Sequence, residues 1–211
     1  MLNGFLSVDR NAGSLVGSDL AMENLKAKIS VTKLDAAKRQ LRTAIRLWFQ
    51  GGDPVSIHTL AFAAYEIIHV LSKKHDQWRR TLIFDSDWIK DEYRPEWNRA
   101  VKGSANFFKH AKIDSDASID FYPSQTLLFL MASASGLAIM KQKQEKEELA
   151  FFYWLCFHQP NWIKPDFRKT LEDRLTVKGI REIKAVKKSD FLNAFDVALK
   201  PRLGIRIPGE Q

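Results

Sequence analysis

Asn106 and His110, near the middle of the chain, have the types and spacing to do chemistry. In a helix, residues four apart stand one above the other, so an amide and an imidazole share one face. An imidazole titrates near neutrality and can give or take a proton at pH 7. Lys102 extends the row backwards and Lys109 adjoins the histidine; an ammonium group in either place suits an anion such as a phosphate. Phe107 and Phe108, between them, are expected to pack inward and fix the turn. Asn106 and His110 are therefore the candidate site residues, with Lys102 and Lys109 as the cations beside them. The structural alternative is that His110 bonds a loop carbonyl or one of Asp114, Asp116 and Asp120, while Asn106 satisfies backbone after Gly103-Ser104.

The remaining histidines offer less. Glu66-Ile-Ile-His69 has the spacing of di-iron helical bundles, but such a site needs a second copy and further carboxylates, and the chain has no second copy. His58, His69, His75, His110, His158 and Cys156 show no metal-ligand spacing. His58 and His69 read as hydrogen-bonded structural residues, and neither metal nor cofactor is expected. There is no Gly-rich phosphate loop and no internal repeat.

The elements that must position these residues read as helices. Thr32 is a plausible cap for a helix to about Gln50, with Leu34, Ala37, Leu41, Ala44, Ile45, Trp48 and Phe49 on one face. Its opposite face stacks Lys38, Arg42 and Arg46, which is either a solvated face or a groove for an acidic partner. Gly51-Gly52 stops this helix, and Asp53-Pro54 opens a second one, to about Lys74, that folds back as an antiparallel neighbour. Residues 75–94 look irregular, with room for a short helix near residues 86–91. Pro95 can open the helix that carries the box, with Gly103-Ser104 as a candidate interruption. Residues 118–122 alternate like a brief extended piece. Pro123-Ser124 starts a central helix through Met140, in which Ala132, Ser133 and Gly136 let another helix come close. Residues 141–148 are either a polar continuation or a junction to a helix over 147–157. Two further amphipathic helices are expected beyond Pro165.

With 211 residues, the chain is long enough for one domain with a substantial core. The longest apolar run, Leu127 to Met140, contains two serines and falls short of the roughly 20 residues a membrane span needs. Met1-Leu-Asn-Gly-Phe-Leu lacks the basic segment and continuous apolar run of a secretion signal, and none is expected. The single cysteine, Cys156, sits in an apolar run and is expected to be buried in a reducing, cytoplasmic setting. The formal net charge is +8. Residues 1–50 carry 8 basic and 4 acidic side chains, residues 51–158 carry 13 and 14, and residues 159–211 carry 12 and 7. The surplus thus lies at the two ends, as suits nucleic acid or an acidic partner and equally a protein with a basic tail.

Asn106-Phe-Phe-Lys-His110 resembles the active-site box of the HEPN superfamily, the higher-eukaryote and prokaryote nucleotide-binding domain. More narrowly, residues 37–49, 53–60 and 106–111 resemble a bacterial subgroup of it, over about residues 32–158 in coarse organisation. The resemblance implies an all-α antiparallel bundle of four or five helices, usually a homodimer with two boxes facing each other. Many members are metal-independent ribonucleases of toxin–antitoxin and defence systems, in which the RNA's own 2′-hydroxyl attacks the adjacent phosphate. Asn106 matches the polar position of the box and His110 its histidine, so the resemblance implies Asn106 and His110 as catalytic residues, with Lys102 or Lys109 as a phosphate- or RNA-binding cation. Ala105 occupies the place of its arginine.

The expected organisation is a flexible segment over 1–22, a HEPN-like bundle over 23–158, a basic helical extension over 159–199 packed on it, and a tail over 200–211. Three functional expectations follow. The first is a binding or interaction module with a degenerate nuclease box, taking RNA, a nucleotide, or an antitoxin-like or other protein partner. The second is a ribonuclease using His110 with a lysine as clamp. The third is a structural protein that dimerises through an apolar face.

Overall fold

The computed structural model describes residues 28–74, 82–111, 115–173 and 175–202. The segment expected to be flexible (1–22) lies outside the described residues, as does the expected tail (200–211) beyond Arg202; residues 200–202 are helical. Residues up to Thr32 form a unit apart, of which 28–32 are described as non-helical chain. From Lys33 onward the chain is a second unit. It is all helical, with no strand among the described residues.

Helix α1 (Lys33–Phe49) buries Ala37, Leu41, Ala44, Ile45 and Phe49, the apolar stripe read from the sequence. It ends where Gly51 takes a φ of 69°, a conformation that costs a glycine little. Helix α2 (Pro54–Ser72) starts where the Asp53 carboxylate accepts the Ser56 N–H at 2.7 Å. This 19-residue helix is long and apolar enough to cross a bilayer by those measures alone. Here it is the central helix of the fold, in contact with α1, with α3 (Arg94–Lys109) and with α4 (Thr126–Ile139). Tyr65, Phe62, Phe84 and Phe129 meet beside it in edge-to-face and tilted contacts, at centroid distances of 4.8–6.2 Å.

The small residues of α4 do what their size predicts. A Cβ placed on Gly136 would lie 2.4 Å from Ile68 Cγ2, so the approach of α4 to α2 depends on that glycine. Helix α4 closes on Lys141, whose φ of 54° places a side chain in the region glycine normally takes. The polar stretch that follows is a junction. Glu145 caps α5 (Lys146–His158) in a reciprocal box with Glu148, whose carboxylate accepts the Glu145 N–H at 3.0 Å.

That junction also receives the cationic row of α1. Lys38 donates to Gln142 at 2.9 Å, Arg42 pairs with Glu148 at 3.0 Å, and Arg46 pairs with Glu147 at 2.6 Å. The acidic partner for the row belongs to the same chain, and the row fastens α5 to α1.

The C-terminal region holds three helices where the sequence reading expected two: α6 (Pro165–Glu172), α7 (Val177–Ala185) and α8 (Lys188–Ala194). The unforeseen α7 starts where the Thr176 hydroxyl accepts the Gly179 N–H, and it buries Ile183. Helix α8 continues through a π-helical turn, Phe195–Leu199, to Arg202. Lys200-Pro201 does not close it as expected: the helical backbone runs on through Pro201 to Arg202. Phe191, Phe195 and Leu199 are buried and join the main core, so this region packs on the bundle.

Candidate functional site

Helix α3 is positioned from its first residue. The Arg94 guanidinium donates to the carbonyls of Ser86 and Ile89 at 3.0 and 2.9 Å and pairs with Asp91 at 2.7 Å, gathering the preceding loop. Trp97 Nε1 donates to the Ile83 carbonyl at 3.0 Å, and Asn98 Nδ2 to that of Phe84 at 3.2 Å. Gly103 does not interrupt α3, which runs unbroken to Lys109.

These contacts define an inner face that continues through half-buried Lys102 and buried Ala105, with exposed Lys109 at its edge. The Lys102 amine lies 4.4 Å from the centre of the Phe84 ring, and the Lys109 amine lies 4.5 Å from that of Phe62. Lys109 also pairs with Glu66 at 3.5 Å. Between them, Ala105 is fully buried in the core.

Asn106 and His110 occupy the outer face, and both are exposed. His110 stands just past the helix in extended backbone, and its N–H donates to the Asn106 carbonyl at 3.1 Å. Among the described residues, neither Asp116 nor Asp120 pairs with it; Asp114 lies outside them. Arg99, two turns before Asn106 and on the same stripe, is also exposed. The fold thus bonds the His110 N–H to the Asn106 carbonyl and sets the Lys102 and Lys109 amines over aromatic rings, with Lys109 exposed like Asn106 and His110. Arg99 is the cation the sequence reading passed over; its seven-residue spacing from Asn106 was the available signal.

Behind the box, Phe108 meets Phe121 and the edge of His58. His58 is fully buried and also touches Phe121 and Phe129, with Nδ1 2.9 Å from the Thr126 hydroxyl. Burial, with the Lys109 charge nearby, pushes its pKa down to about 4, so the ring is neutral at pH 7. It is a structural residue, as its sequence context suggested. Cys156 is buried too, and burial pushes its thiol up to about 12.

A cleft of about 310 Å³ opens on the other side of α3 and includes Glu66, His69, Lys73, Asp85, Asn98 and Lys102. His69 Nε2 lies 3.4 Å from Asp85 Oδ2, and this carboxylate can orient the imidazole. Asn98 Oδ1 is buried there without a hydrogen-bond partner among the described residues. No group of three potential metal ligands occurs among those residues. The cleft combines two amines with an acid–base pair, which suits polar or anionic ligands better than apolar ones. Its His69–Asp85 pairing joins separate segments and had no sequence signal.

Comparison with known proteins returned no match: no family model, no curated protein and no solved structure is similar to this chain.

Proposed function

We propose that this chain is a HEPN-like helical module, acting in the cytoplasm, that binds RNA through the exposed end of α3 and does not cleave it. The observation that carries this reading is the burial of Ala105. In the resembled box that position holds an arginine, whose planar fork would clamp the phosphate and stabilise its growing charge. Here the position faces the core, and the neighbouring amines of Lys102 and Lys109 are held on Phe84 and Phe62. Losing such an electrostatic contribution costs other enzymes on the order of 100- to 1000-fold in rate.

Binding asks less of the site than catalysis. Arg99 and Asn106, at helical spacing on α3, and His110 just past its end present a cation, an amide and an imidazole to solvent. The C-terminal helices add exposed cations at Lys169, Lys178, Arg181, Lys184 and Lys187. Lysine and arginine contacts to phosphates supply affinity without sequence readout.

The test is to incubate the purified protein with structured and single-stranded RNA in EDTA, alongside His110→Ala and Arg99→Ala. The expected result is retained RNA in every lane, with weaker binding by Arg99→Ala. Cleavage by wild type that His110→Ala abolishes would replace this reading with the ribonuclease one.

A further inference from the structure

A second cavity, of about 210 Å³, lies away from α3 where the turn between α1 and α2 meets the start of α4. Its walls include Trp48, Ile57 and Leu127, with Ser124 and the Lys188 side chain. We propose that this cavity binds a small carboxylate with an apolar body, the carboxylate on Lys188 and the body against Trp48, Ile57 and Leu127.

Lys188 is held in place by its own helix. Phe191, one turn on, stacks on Phe49 at 5.9 Å with the rings 6° from parallel and meets the His158 ring at 6.0 Å. That anchor leaves the Lys188 amine 3.7 Å from the centre of the Trp48 ring. Such a contact stabilises a cation but supplies no counter-charge. Among the described residues no carboxylate lies within ion-pairing distance of this amine, although those residues pair lysines elsewhere, as Lys146 with Asp196. Asp53, beside the cavity, spends its carboxylate on the Ser56 N–H. Burial pulls the Lys188 pKa below the usual range, and no acidic neighbour offsets the effect. The cation is therefore partly desolvated and uncompensated at the edge of an apolar space. A water takes about 30 Å³, so the space is worth several waters, enough for a ring or a short chain. An anion that brings its own apolar body supplies the missing charge and fills the walls, which neither a bare anion nor a neutral hydrocarbon does.

The probe is phenylacetate, with benzyl alcohol as its neutral counterpart and acetate as the anion without a body. They are titrated into the full chain carrying ¹⁵N-labelled tryptophan, and the Trp48 indole N–H signal is identified by its loss in Trp48→Phe. Phenylacetate is expected to move that signal saturably. Binding should be roughly tenfold or more weaker for benzyl alcohol and for acetate, and for phenylacetate with Lys188→Met, as fits loss of a charge-assisted contact. Lys188→Arg should retain it. Equal binding of benzyl alcohol, equal binding of acetate, undiminished binding by Lys188→Met, or an unmoved Trp48 signal would each overturn the proposal. The comparison of ligands on the wild-type protein decides the matter even if a variant fails to fold.

Discussion

Ala105 shows how one small residue limits what the box can do. A guanidinium introduced there would be driven into the core between the Phe84 and Phe62 contacts. Ala105→Arg should therefore lower stability by about 3 kcal/mol or more, as overpacking and desolvation of a charge in a filled core do, without creating cleavage. Urea unfolding checks this; an equally stable variant would contradict the burial. Asn106→Ala on the exposed face should shift stability by less than about 0.5 kcal/mol. His58 makes a pH prediction. Its folded pKa, about 4, lies below the ordinary histidine value of about 6.5, so the unfolded chain takes up the proton more readily. Its contribution is intact above about pH 6.5 and fades as pH falls towards 4, a loss of about 3 kcal/mol. Unfolding midpoints across that range should fall less steeply in His58→Gln than in wild type; parallel curves would count against a neutral, buried His58.

Element packing turns on contacts that a sequence reveals unevenly. The breaks at Gly51-Gly52 and Asp53-Pro54 were legible because capping and turn chemistry are local. The small residues of α4 were legible as a place of close approach, and Gly136 against Ile68 is that place. Gly136→Ala should cost about 1–3 kcal/mol by overpacking, since the atom it meets belongs to a β-branched side chain with little freedom. Thermal unfolding measures this, and an unchanged midpoint would mean the helices lie further apart. The partners of Lys38, Arg42 and Arg46 were not legible, because each is about a hundred residues away. Those pairs should differ in weight. Glu148 is fully buried and also caps α5, so Glu148→Ala should cost more than about 2 kcal/mol. The Arg46 end of the Glu147 pair is half exposed, and Glu147→Ala should cost less than about 1 kcal/mol. Equal losses would contradict this ranking.

For the molecule as a whole, the all-α architecture followed from helical periodicity, whereas the direction each side of α3 faces did not. A four-residue spacing put Lys102 in the row of Asn106 and His110; only the packing of α3 against Phe84 and Phe62 sets the Lys102 and Lys109 amines over those rings, with Lys102 half-buried and Lys109 exposed like Arg99, Asn106 and His110. The extra helix α7 escaped notice because its apolar contribution to the core is Ile183 amid charged neighbours. Proposed function rests on this division of one helix into a packed face and a free one, on a chain with a net charge of +8. The most direct test is the affinity of the full chain for a labelled single-stranded RNA, measured by fluorescence anisotropy from 50 to 200 mM salt in EDTA. The account predicts a log–log slope of several units, about 0.7 per phosphate neutralised, with the RNA intact at the end of the titration. Affinity that does not change with salt, or RNA shortened in the wild-type sample and whole in His110→Ala, would contradict it.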